Sequence, residues 1–347
     1  MFTRKLLNQY IFLCNNIKCI QIRNIQASVI GAAGEVGSNL SLLLKQNNKL
    51  LRLQLYDDDE KIMGTAMELS LLPGGPEVTA FVGNNNLHAA VRGSDLIVMV
   101  HRVPRKPGNT REQMLAANAP ALHKLCRAMS DENPTAFFAI ATIPLNSLVP
   151  FASALLYKYG TYNPFKVFGV THIDTARART YAANALNVSS RNLFLPVIGG
   201  HSDDTVIPLF SNITPVDYSI DPCQADSLTR LLRKAGTEIV FQKQGSEAAV
   251  LGVARSINEF CDLIFDAVCG SEVIVNSYTA NPNFGTRFFS GPTTVGPYGI
   301  ISRPCQEFTF NDYESFLLGA SVPVINNDVS IGERYVQYVE SMGKAKY

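Results

Sequence analysis

The sequence predicts an α/β fold, in which a parallel sheet with crossover helices is continued by a mixed second half. Three observations carry this. Short apolar runs alternate with longer amphipathic ones through the first half of the chain. A glycine-rich turn links the first run to a helical stretch. Near Val170 the regular alternation gives way to a mixed pattern.

Taken in order, residues 27–30 (Ala-Ser-Val-Ile) form a short strand that enters Gly31-Ala-Ala-Gly34-Glu-Val-Gly37, and residues 39–45 have helical character. Residues 52–56 form a second strand that delivers Asp57 at its carboxyl end. Residues 96–100 and 136–141 supply two more strands. There is no internal repeat and no low-complexity linker. The chain has 347 residues, of which 46% are hydrophobic and 17% charged. That composition supports a substantial core and excludes wholesale disorder.

Charge excludes further classes. Thirty Lys and Arg against 29 Asp and Glu leave a net charge of +1, without the basic footprint of a nucleic-acid binder. No run reaches the roughly 18 apolar residues a membrane span requires. The seven cysteines are scattered without a CxxC pair. Free thiols in a reducing compartment fit better than a disulfide framework or a zinc site, and no metal is expected. Residues 1–25 are basic, and the first acidic residue of the chain is Glu35. This segment reads as a mitochondrial targeting presequence, with a basic arm as the alternative, and the expected location is the mitochondrial matrix.

The glycine turn carries chemistry because of its surroundings. The GxxGxxG spacing follows a strand and opens a helix, and Asp57 ends the next strand at a spacing of 20 from Gly37. Gly31 permits the tight turn, Gly34 allows a pyrophosphate to approach the backbone, and Gly37 allows close helix–strand packing. The helix N-terminus offers unpaired N–H groups to phosphate. Asp57 is suited to an adenosine ribose diol and would repel the extra phosphate of NADP, so the expected cofactor is NAD.

A second constellation points to the substrate. Val103-Pro-Arg105-Lys-Pro-Gly-Asn-Thr-Arg111 follows a sheet strand at its carboxyl end, where ligands bind in open α/β sheets. Two arginine forks in such a loop suit a small dianion. Asp174 and Arg177, at i and i+3, share one face of a helix. His201 follows a double glycine at a strand end and is placed to meet Asp174. In this pairing His201 exchanges a proton with the substrate oxygen, Asp174 fixes its tautomer, and Arg177 clamps a carboxylate. His172 reads as structural.

Together GAAGEVG, LQLYD, VPRKPGNTR, FGVTHIDTARA, LPVIGGH and the later Phe289-Ser-Gly-Pro resemble the malate dehydrogenase branch of the lactate/malate dehydrogenase family, in its mitochondrial-like form. The resemblance runs from about Gln26 to the C-terminus. It implies a Rossmann NAD-binding domain over residues 26–169 and a mixed α+β catalytic domain over residues 170–347. It also implies a homodimer and NAD-dependent interconversion of malate and oxaloacetate. On this resemblance Arg105 reads the distal carboxylate, Arg111 polarises the reacting carbonyl and Arg177 holds the adjacent carboxylate. Asp174 and His201 match the proton relay, and Asn118 matches an asparagine near the cofactor.

The lining departs from the family pattern at several places. His101-Arg102 replaces Ala-Gly, Ile143 replaces the first asparagine of Asn-Pro-Val-Asn, and Ala249-Val-Leu-Gly-Val-Ala254 replaces Ala-Thr-Leu-Ser-Met-Ala. Asp203-Asp204 replaces the commoner small or basic residues after the histidine. Two alternatives therefore stand beside the malate enzyme. One is a catalytically impaired dehydrogenase-like protein serving as a binding or structural subunit. The other is a dehydrogenase for a different 2-hydroxy acid.

Overall fold

Six parallel strands lie side by side in the order β3-β2-β1-β4-β5-β6: β1 (Ile25–Ile30), β2 (Leu50–Asp57), β3 (Glu77–Val82), β4 (Leu96–Met99), β5 (Phe137–Ile140) and β6 (Val167–Val170). This is the strand order of a doubly wound dinucleotide-binding sheet. The computed structural model describes residues 24–103, 110–245, 248–304 and 307–344. The targeting segment expected at residues 1–25 therefore falls almost wholly outside the described residues.

Strands β4, β5 and β6 are buried at every position, which is why they read as unbroken apolar runs rather than alternating ones. On one face α1 (Glu35–Lys45) packs Leu40 and Leu44 against Val29, Leu53 and Val98. On the other face lie α4 (Arg111–Glu132) and α5 (Leu145–Lys158), whose Leu122 and Phe151 join Ile97 and Phe138. Helices α2 (Lys61–Ser70) and α3 (Leu87–Val91) complete the crossovers. Helix α1 starts at Glu35, four residues earlier than its apolar content alone suggests. Gly34, in extended conformation, acts as its N-cap.

After β6 the sheet continues without a break but reverses its sense. Strand β9 (Val273–Ala280) pairs antiparallel with β6, then follow β10 (Phe288–Gly296), β7 (Val197–Gly199) and β8 (Val206–Pro208), with β11 (Gly299–Ser302) beside β10. The mixed pattern of the second half is this antiparallel section. Around it lie α6 (His172–Leu186), α7 (Pro222–Gln242) and α8 (Leu251–Val268). The long C-terminal α9 (Asp312–Lys344) lies back along α5 and buries Ile325 and Val329 in the core shared with the first half.

Candidate active site

The carboxyl ends of β1, β2, β4 and β5 open on one side of the sheet, and the β7–β8 turn reaches the same side. Gly31 is at φ +91°, and an added Cβ would fall 2.3 Å from the His101 Cα. A Cβ on Gly37 would meet the Gly31 carbonyl at 2.1 Å. Both positions therefore exclude side chains. Gly34 differs: its φ is −71°, and the nearest atom to an added Cβ is 3.4 Å away. The fold does not require glycine there, and the open space lies against the first turn of α1, which has no side-chain cap. Helix N-termini of this kind bind anions. Asp57 completes the cradle, accepting from the Ala33 N–H at 2.9 Å and the Asp59 N–H at 3.2 Å. These residues fit the adenosine and pyrophosphate parts of a dinucleotide.

At the chemical end, His201 Nδ1 meets Asp174 Oδ2 at 2.6 Å, across 27 residues of sequence. Asp174 is buried in the first turn of α6, so the carboxylate is held rigidly. With Nδ1 committed to it, Nε2 is the nitrogen that faces the open space. Burial works to lower the His201 pKa, but the charge and hydrogen bond of Asp174, with Asp203 adding to them, outweigh burial and Arg177 and raise it. Arg177, one turn along α6, shares this space and has no ion pair among the described residues.

Asn146 builds the scaffold beneath. Its Oδ1 accepts the His201 backbone N–H at 2.8 Å, and its Nδ2 donates to Asp328 Oδ2 at 3.0 Å and Thr205 Oγ1 at 3.3 Å. An added Cβ on Gly200 would stand 2.8 Å from that amide nitrogen, so the double glycine lets the turn close on Asn146. Neither Asn146 nor Asp328 stood out in the sequence reading. The available signal was a polar residue inside each of two apolar stripes, Asn146 in α5 and Asp328 beside Ile325 and Val329 in α9.

Arg111 opens α4, whose start is fixed by a capping box between Thr110 and Gln113. Its Nη2 lies 2.7 Å from Asp204 Oδ2, and its Nη1 3.6 Å from Asp328 Oδ2. Asn118 is buried and bound to backbone: Oδ1 accepts the Val103 N–H at 2.8 Å, while Nδ2 donates to the Met114 and Ile143 carbonyls. It thereby ties the segment after β4 to the segment after β5. Arg105 lies outside the described residues. His172 is half-buried at the start of α6, and its Nδ1 accepts the Asn276 N–H at 3.4 Å. Burial, with Arg179 and Arg255, holds its pKa down at about 4.

The departures from the family pattern also take their places. Val103 is anchored by Asn118, while His101 rests on Gly31 and donates its N–H to the Ile30 carbonyl. Arg102, half-buried between them, stands beside the glycine loop. Burial pushes its guanidinium below the usual range, and the charge of Glu35, the first residue of α1, opposes that. Val250 is buried at the entry to α8, so that segment adds apolar surface.

A doubly wound sheet with a glycine loop at the carboxyl end of its first strand and an acid at the end of its second is the architecture of dinucleotide-binding proteins. Residues 25–169 match the family model described as lactate/malate dehydrogenase, NAD binding domain, and residues 171–335 match its alpha/beta C-terminal domain. The chain belongs to the lactate/malate dehydrogenase family. It is 35% identical over 313 residues to the mitochondrial malate dehydrogenase of Caenorhabditis elegans, covering 90% of this chain and 91% of that one. It is also 35% identical over 314 residues to the malate dehydrogenase of Pseudoalteromonas atlantica, covering 90% and 99%. Among solved structures, Cryptosporidium parvum malate dehydrogenase superposes with a TM-score of 0.78 at 26% identity, covering 90% of this chain and 100% of that one.

Proposed function

We propose that this chain is an NAD-dependent malate dehydrogenase of the mitochondrial matrix, interconverting malate and oxaloacetate. The observation that carries the proposal is the His201–Asp174 pair facing the same space as Arg111 and Arg177. Similarity to malate dehydrogenases from a mitochondrion and from a bacterium supports the substrate, and residues 1–25 support the compartment.

NAD, when bound, accepts or supplies the hydride. Gly31, Gly34 and Gly37 shape its cradle, and Asp57 selects against a 2′-phosphate by charge. Arg177 holds the carboxylate beside the reacting carbon, Arg111 polarises the carbonyl, and Arg105 reads the distal carboxylate. His201 gives a proton to the oxaloacetate oxygen from Nε2, and takes it back in the malate direction. Asn118 serves the site by holding the segments on which these groups stand. The active form is proposed to be a homodimer; Met63, Met67 and Leu71 on and just after α2 are exposed apolar residues available to a subunit contact.

The test is NADH titration by fluorescence, followed by addition of oxaloacetate. Binding and NADH oxidation are expected, with oxidation abolished in His201→Ala. Absence of binding at millimolar NADH would sink the dehydrogenase reading. It would favour the impaired-subunit alternative. Faster turnover of another 2-oxo acid than of oxaloacetate would reassign the substrate.

A further inference from the structure

Arg111 is the residue proposed to polarise the substrate carbonyl, yet in this structure it faces two carboxylates of its own chain. The tight turn between β7 and β8 presents Asp204. Its backbone is pinned by Gly200 N–H to Thr205 O at 2.9 Å and by Ser321 Oγ, on α9, to the Asp204 carbonyl at 3.1 Å. From that fixed turn the Asp204 carboxylate reaches Arg111 Nη2 at 2.7 Å, while Asp328 approaches Nη1 from beneath at 3.6 Å. The two acids differ in setting. The Asp328 side chain is 7% exposed and committed to Asn146, whereas that of Asp204 is 66% exposed and free to swing out.

We infer that Asp204 is an internal competitor for Arg111, holding its guanidinium in the place of a substrate oxygen and setting the concentration of dicarboxylate needed to displace it. The inference rests on Arg111 being a substrate arginine, as proposed above. The chemistry is direct. The substrate carbonyl offers an oxygen acceptor to the same Nη group that Asp204 holds, so the two occupancies exclude each other. An Arg–carboxylate pair at a half-exposed site is weak enough to exchange and strong enough to shift apparent affinity. Asp328 stays in place in both states, because removing it would leave Asn146 and the backbone of His201 unsupported. Asp204 therefore raises the dicarboxylate concentration at which Arg111 is released to the substrate.

The experiment uses the full chain with Asp204→Asn and Asp204→Glu. Asp204→Asn is expected to lower the oxaloacetate KM about two- to fivefold, the range an exposed ion pair supplies, with a smaller change in kcat. Asp204→Glu is expected to keep KM near that of the parent chain. In parallel, modification of Arg111 by phenylglyoxal, read by peptide mass spectrometry, should run faster in Asp204→Asn, and oxaloacetate should slow it in both proteins. An unchanged or raised KM in Asp204→Asn overturns the inference. So does failure of oxaloacetate to protect Arg111, which holds even if no turnover is seen. Failure of the dehydrogenase reading itself shows separately, as absence of NADH binding.

Discussion

At His201 two opposing influences meet. Burial disfavours the imidazolium, and the Asp174 carboxylate at 2.6 Å more than offsets it. The folded pKa is thus above the ordinary value of about 6.5. A raised pKa means the protonated form is preferred in the folded protein. Its contribution to stability is complete below about pH 6.5 and disappears as pH rises through the folded pKa. Oxaloacetate reduction consumes that proton, so its kcat/KM should fall on the alkaline side of the same pKa. In Asp174→Asn burial and Arg177 are opposed by Asp203 alone. The alkaline limb should move to lower pH and the rate drop on the order of 10²-fold or more. A pH profile with an unmoved limb would remove Asp174 from the relay. Arg102 permits a second test at this scale. Glu35 places a negative charge where a pyrophosphate approaches α1, and Arg102 sits within reach of that charge. Glu35→Gln should tighten NADH binding by about 1.5- to 5-fold, the range of a partly exposed charge interaction. If Arg102 screens Glu35, the gain should be larger in an Arg102→Gly background, and equal gains in both backgrounds would show the two charges to be uncoupled.

Among the elements, the α5–α9 contact links packing to chemistry. An added Cβ on Gly332 would stand 2.1 Å from the Ser147 carbonyl, a backbone atom with no rotamer to yield. Gly332→Ala must therefore push the helices apart, at a cost of about 1–3 kcal/mol for overpacking. Asn146 adjoins Ser147, and Asp328 lies one turn before Gly332, so the separation also stretches the 3.0 Å bond between them. A lower urea midpoint should accompany reduced kcat. Gly319→Ala, exposed on the same helix with nothing within 4 Å of an added Cβ, should leave kcat at the parent value and raise the urea midpoint slightly, by about 0.5–1 kcal/mol of helix propensity. If both substitutions behave alike, helix propensity rather than close approach governs the position. This contact also shows the limits of sequence reading. Asp57, the glycine turn and the Asp174–Arg177 face were legible because strand ends and helical spacing are local properties. The contacts of Asn146 with Asp328, 182 residues away, were not, because no local pattern encodes which helix covers α5. The same holds for Asp204. Its departure from the family pattern was visible, but its partner Arg111 depends on where the β7–β8 turn meets the start of α4.

For the molecule as a whole, the decisive feature is that the sheet does not stop between the two halves. Strand β6 pairs with β5 on one side and β9 on the other, and α9 returns from the C-terminal half to cover α5. Phe151 and Ile325, from opposite halves, share one buried cluster. Exposing either half alone would uncover a sheet edge and an apolar helix face, so the two should melt together. Calorimetry is expected to give one cooperative transition. NADH contacts are proposed only in the first half, yet linkage should move the entire transition. At a concentration 100 times its Kd, binding adds about 2.7 kcal/mol, which for a chain of this size corresponds to roughly 3–4 °C. Two transitions, of which NADH moves only one, would show that the continuous sheet does not couple the halves. A single transition insensitive to NADH would instead count against the glycine-loop cradle as a dinucleotide site.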